Sequence, residues 1–361
     1  MFYGIDLHSD SFKAAVIGDS GDEVKIIQVS LNPETLEKFK AKLTKEDYVA
    51  VEASTNTFWF TDQLDPLVKN CFILDPYKFS IIGNSNKKTD KIDAIKIAKK
   101  LKYHVLYDQS RDEFPTITKP PKEIRDLRSL FTSYEFIKKE RNMTKNRIHA
   151  LLRQNGLVQF KKKDLSLQHV RTDLLKLATD KSIQIQLELF IRQLEELESK
   201  KNDLHDEIIR QGKIFEKEIR LLTSIRGISP FLAVAIMSDI VDIKRFPNAK
   251  HLCSYLRAAP SIDASGDKSK VGKVNKHSRT LTLSLMTESV KHFVDSSEEM
   301  TRFYFNKRKG KSAGKVRVAV MRKIITVIYH MLTREELYYY VDEKNHMNKI
   351  KEFEKVLKKT A

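Results

Sequence analysis

Cysteine and long apolar runs are both scarce in this chain of 361 residues. The two cysteines, Cys71 and Cys253, lie far apart and have no histidine or cysteine at metal-ligand spacing, so neither a disulfide framework nor a zinc site is predicted. No apolar run approaches the ~20 residues that a membrane-spanning helix needs. The first ten residues carry acidic side chains where a signal peptide would carry basic ones. We therefore expect a soluble, cytoplasmic protein.

Negative charge is also in short supply. There are 66 Lys and Arg against 48 Asp and Glu, a formal net charge of +18. Residues 119–163 hold 13 basic and 4 acidic residues, and residues 268–323 hold 15 and 4. Two separate basic segments favour contacts with nucleic acid at more than one place, because each neutralised phosphate releases counterions. A basic surface that serves solubility alone is the alternative.

The first hundred residues alternate between strand and helix patterns. Three short β-rich runs joined by Asp, Ser and Gly turns predict an antiparallel meander. Strands and helices then alternate, which suggests parallel neighbours within a mixed sheet of order βββαβαβα. The strands are predicted at 2–7, 12–17, 24–29, 48–51 and 71–74, and the helices at 33–43, 58–68 and 90–101.

Most of the following residues are predicted to be helical. Residues 121–155 form a long basic amphipathic helix that ends at Gly156. A second helix has apolar residues at alternating spacings of three and four, which favours a dimerising coiled coil over an ordinary core helix. The residues of this seam are Ile183, Leu187, Phe190, Leu194, Leu197, Leu204 and Ile208.

The composition changes again from Leu221. Residues 225–231 have a helix, glycine turn, helix pattern, which either presents N–H groups to a phosphate or forms a plain helical hairpin. Residues 261–276 are predicted to be a small, polar, basic loop. Helices at 281–294 and 316–332 and a charged, peripheral tail helix follow. The expected divisions are 1–110, 111–214, 215–340 and 341–361.

Four carboxylates occur where the predicted fold could bring them together. Asp6 lies inside the first strand among apolar residues, where a carboxylate is costly unless a cation meets it. Glu52 ends the fourth strand and faces Asp6 if the two strands are neighbours. Asp90 and Asp93 share one face of the closing helix.

These residue types predict a metal site. Oxygen ligands without His or Cys point to Mg²⁺ or Mn²⁺, and two ions about 4 Å apart can hold both oxygens of a phosphodiester exchange. Taken singly, Asp90 and Asp93 have an alternative as acids of a helix first turn, and Asp6 and Glu52 as polar residues near turns.

Asp6, Glu52 and the run Lys88-Thr-Asp-Lys-Ile-Asp-Ala94 resemble the signature of the RuvC-like DEDD transposases of the insertion-sequence family "IS one-ten", with its eleven-eleven subgroup. The likeness continues into the family's C-terminal domain and covers nearly the whole chain. It is carried there by Arg226-Gly-Ile-Ser-Pro, Arg245-Phe-Pro, Leu256-Arg-Ala-Ala-Pro, Ser265-Gly, Gly272-Lys-Val-Asn-Lys and Gly314-Lys. The resemblance implies an RNase H/RuvC-like catalytic domain, then long helices with a coiled coil, and a mainly helical domain that bears a serine.

The resemblance also implies a mechanism and partners. Family members combine the metal site with a serine that attacks DNA and forms a phosphoserine link, in a site completed between protomers of a tetramer. Here that serine is Ser265, with Ser261 and Ser269 as competing candidates. The resemblance further implies a structured non-coding guide RNA that pairs with donor and target DNA. The residues expected to contact nucleic acid are Arg125, Arg128, Lys138, Lys139, Arg141, Lys145, Arg147, Arg153, Lys268, Lys270, Lys273 and Lys276.

Other functions remain open at this stage. A RuvC-like nuclease would need the four carboxylates but not Ser265, because water would be its nucleophile. A non-catalytic nucleic-acid-binding protein would need neither. Departures from the family pattern near Glu52 and His277 concern glycines and put loop geometry in doubt. The run Gly310-Lys-Ser312 is not a P-loop, because Phe305 stands where the upstream glycine is required.

Overall fold

The structure, a computed structural model, describes residues 1–21, 23–82, 89–107, 114–177, 180–258, 260–265, 268–274 and 281–359, with the backbone alone at 80–82, 177, 260–265 and 268–274. The chain forms two compact units, Met1–Pro120 and Pro121–Ala361. The expected four-part division at 110, 214 and 340 stays a prediction. Among the described residues, no helix is both long and apolar enough to cross a membrane.

The first unit contains a mixed sheet with helices. Its strands are Phe2–Leu7 (β1), Ser11–Ile17 (β2), Val24–Ser30 (β3), Tyr48–Glu52 (β4) and Asn70–Leu74 (β5), and its helices are Pro33–Lys40 (α1), Thr57–Leu64 (α2), Pro76–Ile82 (α3) and Asp90–Tyr107 (α4). In the described part of this unit, the five strands follow the order β3-β2-β1-β4-β5. β1 pairs antiparallel with β2 and parallel with β4. The predicted α/β domain with a mixed sheet is confirmed.

The two faces of this sheet pack against different layers. Alternate residues of β1 and β2 join the aromatic side chains of Phe12, Phe39 and Phe60 in one cluster, beneath α1 and α2. The other face meets α4, where Ala94 and Ala98 pack on residues of β2 and β3. Because successive strand residues point to opposite faces, every second residue of β1 lies on the α4 side.

Helix α4 approaches β1 most closely at Gly4. A Cβ atom built on Gly4 would lie 2.1 Å from the backbone nitrogen of Ala98 and 2.4 Å from the backbone oxygen of Ala94. Only a glycine leaves room for the helix backbone here, and small alanines complete the contact. This contact sets how far the first turn of α4 stands from the end of β1.

The second unit is mainly helical. Its helices are Lys122–Gln154 (α5), Gln168–Leu177 (α6), Lys181–Gln211 (α7), Glu216–Leu222 (α8), Pro230–Ile240 (α9), Ala249–Tyr255 (α10), Leu281–Glu288 (α11), Val290–Val294 (α12), Glu298–Arg308 (α13), Ala313–Arg334 (α14) and Glu343–Lys358 (α15), and its strands are Pro260–Ser265 (β6) and Lys268–Val274 (β7). Every residue of α9 is buried, so this helix runs through the core. The predicted mainly helical remainder of the chain is confirmed.

The apolar seam of α7 packs within the chain. Leu187 and Leu194 are fully buried in a cluster with Ile148 and Leu151 of α5 and Leu174 of α6. A contact between two chains, which the sequence favours for this seam, stays a prediction, and the structure packs Leu187 and Leu194 of the seam on α5 and α6 of the same chain. The reason is that α5 carries its own apolar stripe, and a partner on the same chain loses no translational freedom on pairing.

The predicted polar loop at residues 261–276 is wrong for most of its length. β6 and β7 form an antiparallel hairpin in which Ala264 pairs with Ser269 and Ser265 with Lys268. Composition suggested a loop, but the period-two alternation of Ile262 and Ala264 with polar residues is that of a strand. Gly266, Asp267 and residues 275–280 lie outside the described part of the chain.

The tail helix α15 is anchored to the second unit rather than peripheral. Phe353 and Val356 belong to its main hydrophobic core. Lys349 Nζ donates hydrogen bonds to the backbone oxygens of Thr223 at 2.9 Å and Ile225 at 2.8 Å. Burial lowers the pKa of Lys349 to about 8.

Candidate metal centre

Two of the predicted acidic residues meet where β1 ends. The ligand atoms of Asp6, His8 and Asp90 all lie within 4.8 Å of one another. His8 Nε2 is 3.5 Å from Asp6 Oδ2 and 3.6 Å from Asp90 Oδ2. Asp6 comes from the strand, Asp90 from the first turn of α4, and His8 from the residues that follow the strand. Two carboxylates and an imidazole therefore converge on one point.

Asp6 is the most enclosed of the three side chains, with 14% of its side chain exposed. Burial raises the pKa of the Asp6 carboxyl, and His8 opposes that effect. The negative charges of Asp90 and Asp93 raise this pKa further. A positive ion placed between these carboxylates would relieve both the burial and the repulsion.

Lys13 already supplies one positive charge to this group. It is the residue of β2 directly opposite Asp6 in the antiparallel pair, so both side chains lie on the α4 face. Lys13 Nζ donates a hydrogen bond of 2.9 Å to Asp90 Oδ2. That bond lowers the pKa of the Asp90 carboxyl.

The other two predicted acids lie beside this group but not in it. Glu52 ends β4 one position beyond the pair Ile5–Val51, so it is the neighbour of Asp6 on the same face of the sheet. Asp93 Oδ1 lies 3.8 Å from Lys96 Nζ on the next turn of α4. Neither belongs to the group whose ligand atoms lie within 4.8 Å.

The loop after β4 is tied to the residues after β1. Asn56 Nδ2 donates to the backbone oxygen of His8 at 3.1 Å. Thr57 Oγ1 donates to the backbone oxygen of Glu52 at 3.2 Å, and the Ser54 N–H donates to Thr57 Oγ1 at 2.7 Å. These bonds fix the backbone on both sides of the carboxylates.

The residues present fit a divalent cation. Carboxylate oxygens are the ligands that Mg²⁺ and Mn²⁺ prefer, and an imidazole nitrogen is compatible with Mn²⁺. His8 and Lys13 were not among the predicted site residues, which were all acids. His8 stands two residues after Asp6, which the sequence shows, whereas Lys13 lies opposite Asp6 only through the observed strand register.

The predicted nucleic-acid residues of α5 divide into two groups. Lys145 is buried and donates to Ser166 Oγ at 2.5 Å, and Arg141 Nη2 donates to Glu198 Oε1 at 2.8 Å. Arg128 Nε donates to the Ser238 backbone oxygen at 2.8 Å, and Lys138 Nζ donates to Glu288 Oε1 at 2.8 Å. Arg125 is half-buried. The exposed members are Lys139, Arg147 and Arg153.

The predicted serine lies at the end of β6. The backbone of Ser265 is described, but its side chain and those of Ser261, Ser269, Lys268, Lys270 and Lys273 lie outside the described atoms. Lys276 lies outside the described residues altogether. The assignment of the nucleophile and of these lysines stays a prediction.

The turn between α8 and α9 has the geometry of a helical hairpin. Gly227 has φ of +95°, and a Cβ atom there would lie 2.8 Å from His292 Cβ, so the position requires glycine. Ser229 caps α9 by accepting a hydrogen bond of 3.2 Å from the Leu232 N–H. The structure shows the helical hairpin that both alternatives share, and the binding of a phosphate at this turn stays a prediction.

Two family models match the chain. One, described as a transposase and representing the DEDD type of the IS110 family, matches residues 3–156. The other, described as the transposase IS116/IS110/IS902 family, matches residues 219–304. Together they span about two thirds of the sequence. No curated protein matches it.

Proposed function

The chain belongs to the IS116/IS110/IS902 family of transposases, and we propose that it exchanges DNA strands through a carboxylate metal site and a serine. The transposase activity follows from the family, and such enzymes act on DNA. The observation that carries the site is the convergence of Asp6, His8 and Asp90 within 4.8 Å where β1 ends.

Asp6, Glu52, Asp90 and Asp93 are the proposed metal ligands, and Mg²⁺ or Mn²⁺, as two ions, is the proposed cofactor. A bound cation would stabilise charge on the attacking and leaving oxygens of a phosphodiester. The chain's part is to hold the carboxylates in place, since the Gly4 contact sets the position of α4 and the Asn56 bond fixes the loop. A fixed geometry lowers the entropic cost of the reaction.

Ser265 is the proposed nucleophile. Its Oγ attacks phosphorus and loses its proton, the bond from phosphorus to the 3′ oxygen breaks, and the 3′ hydroxyl leaves. The phosphoserine keeps the energy of the broken bond, so a new 3′ hydroxyl can displace the serine without ATP. This agrees with the failure of Gly310-Lys-Ser312 to match a P-loop.

A structured non-coding RNA and further copies of the chain are the proposed partners besides DNA. Lys139, Arg147 and Arg153 are exposed on α5, and they support a contact of this helix with phosphates. A tetramer, with the site completed between protomers, is proposed from the family resemblance alone.

A covalent adduct tests the serine. Wild-type protein incubated with labelled DNA of the element's ends, its RNA and Mg²⁺ should give a denaturant-resistant protein–DNA band. Ser265→Ala should bind DNA with unchanged affinity and give no band, whereas Ser261→Ala and Ser269→Ala, as matched controls, should still give it. A band that depends on Ser261 or Ser269 would move the nucleophile. Free 5′-phosphate ends with no adduct in wild type would favour a nuclease that uses water.

A further inference from the structure

The side chain of Lys13 places a positive charge on the carboxylate of Asp90. Lys13 Nζ lies 2.9 Å from Asp90 Oδ2, the same oxygen that lies 3.6 Å from His8 Nε2. The Lys13 side chain is 28% exposed and the Asp90 side chain 44%. The contact therefore lies at the rim of the site, where a polyanion can reach it.

An ammonium group and a divalent cation compete for this position. A metal ion held by Asp6, His8 and Asp90 would share Asp90 Oδ2 with the Lys13 ammonium, and two cations brought close together repel each other. A metal ion therefore binds that oxygen more favourably once Lys13 has moved away. Lysine can do so, because its charge stands on a flexible four-carbon chain.

The backbone restricts where Lys13 can go. Its Cα is held opposite Asp6 by the β1–β2 pairing, so the ammonium stays within a side-chain length of the carboxylates. A DNA phosphate that enters the site would offer it a second anionic acceptor of the same single charge as Asp90, and the neighbouring phosphates of the duplex would add to its attraction. The exchange of Asp90 for phosphate would free Asp90 Oδ2 when the substrate arrives.

We propose that Lys13 occupies Asp90 in the DNA-free protein and passes to a DNA phosphate on binding, so that metal and DNA load together. Lys13 is thus a positioning residue with two partners. The inference rests on the proposed metal function of Asp6 and Asp90. By linkage, DNA raises metal affinity by the same factor as metal raises DNA affinity.

Metal binding, rather than activity, measures this coupling. Mn²⁺ titrations followed by electron paramagnetic resonance would use the full chain in a Ser265→Ala background, with and without duplex DNA of the element's ends. We expect DNA to lower the Kd for Mn²⁺ by about tenfold, within the usual range of coupling between sites. Lys13→Met should bind Mn²⁺ about tenfold tighter without DNA and respond to DNA by less than about twofold.

Two further variants act as controls, and a third provides a second test. Lys13→Arg keeps the positive charge and should keep most of the DNA dependence. Lys25→Met removes an exposed lysine of β3 and should behave as wild type. Lys13→Gln provides a second test if thermal unfolding shows that the methionine variant is not folded.

The outcomes separate the two claims. If Lys13→Met or the folded Lys13→Gln binds Mn²⁺ as weakly as wild type, or more weakly, Lys13 does not compete with metal and the inference is wrong. If DNA changes the Kd of these variants as much as that of wild type, the inference is also wrong. If wild type and Asp6→Asn bind Mn²⁺ equally, or neither binds it, the proposed metal site itself is wrong.

Discussion

Replacing Gly4 with alanine should displace the helix that carries Asp90 and Asp93. The new Cβ atom would lie 2.1 Å from Ala98 N and 2.4 Å from Ala94 O, both backbone atoms of α4. An ordinary contact begins at 3.4 Å, so α4 would have to move by more than 1 Å from β1. Overpacking of this kind costs about 1–3 kcal/mol in stability. A shift of about 1 Å at reacting groups reduces rate by roughly 100-fold.

Two assays together check this prediction. Urea unfolding should show a lower free energy of unfolding for Gly4→Ala, and strand exchange should fall further than the loss of folded protein explains. Gly18→Ala is the matched control, because its Cβ would meet only Ser20 O at 3.9 Å. Wild-type stability and strand exchange in Gly4→Ala would refute the argument that this contact positions the site.

Three further predictions concern the second unit. Glu198→Ala should lower the free energy of unfolding in urea by on the order of 3 kcal/mol, because it removes a carboxylate that pairs with the buried Arg171. A decrease below about 1 kcal/mol would show that this ion pair is dispensable. The free energy of unfolding of wild type, compared with that of Lys349→Met, should rise between about pH 8 and pH 10.5. In this range Lys349 holds its proton in the unfolded chain but has lost it in the folded protein. A difference between the two proteins that stays constant with pH would contradict this prediction. Leu194→Asp should unfold the α5–α7 pair at any protein concentration, whereas an effect confined to dissociation in sedimentation would restore the seam between chains.

The order of strands and helices in the first unit was predictable because it depends on local patterns. Period-two runs separated by turn residues located all five strands within a residue or two. Helix α3 was missed, although Asp75 accepts from the Tyr77 N–H at 3.0 Å and precedes Pro76, a pair of residues typical of a helix start. That signal is only two residues long and was outweighed by the polar stretch after it.

The candidate site was predictable only in part. The approach of Asp6 to Asp90 follows from the predicted topology, since a strand end and a helix start that pack together must meet. Lys13 reaches the site only because of the register between β1 and β2. A shift of one residue would move its side chain to the other face of the sheet, and composition does not determine the register. The partner of the α7 seam is likewise not determined by the sequence, because heptad spacing does not say whether the partner helix belongs to the same chain.

Strand exchange in an Asp93→Asn variant tests the central claim most directly. Donor and target plasmids that carry the element's ends would be incubated with the protein and its RNA, and the joined product would be counted by sequencing. We expect product from wild type with Mg²⁺, none with a chelator, and none from Asp93→Asn even though its fold and DNA affinity are unchanged. Undiminished product from Asp93→Asn would contradict the carboxylate site as proposed.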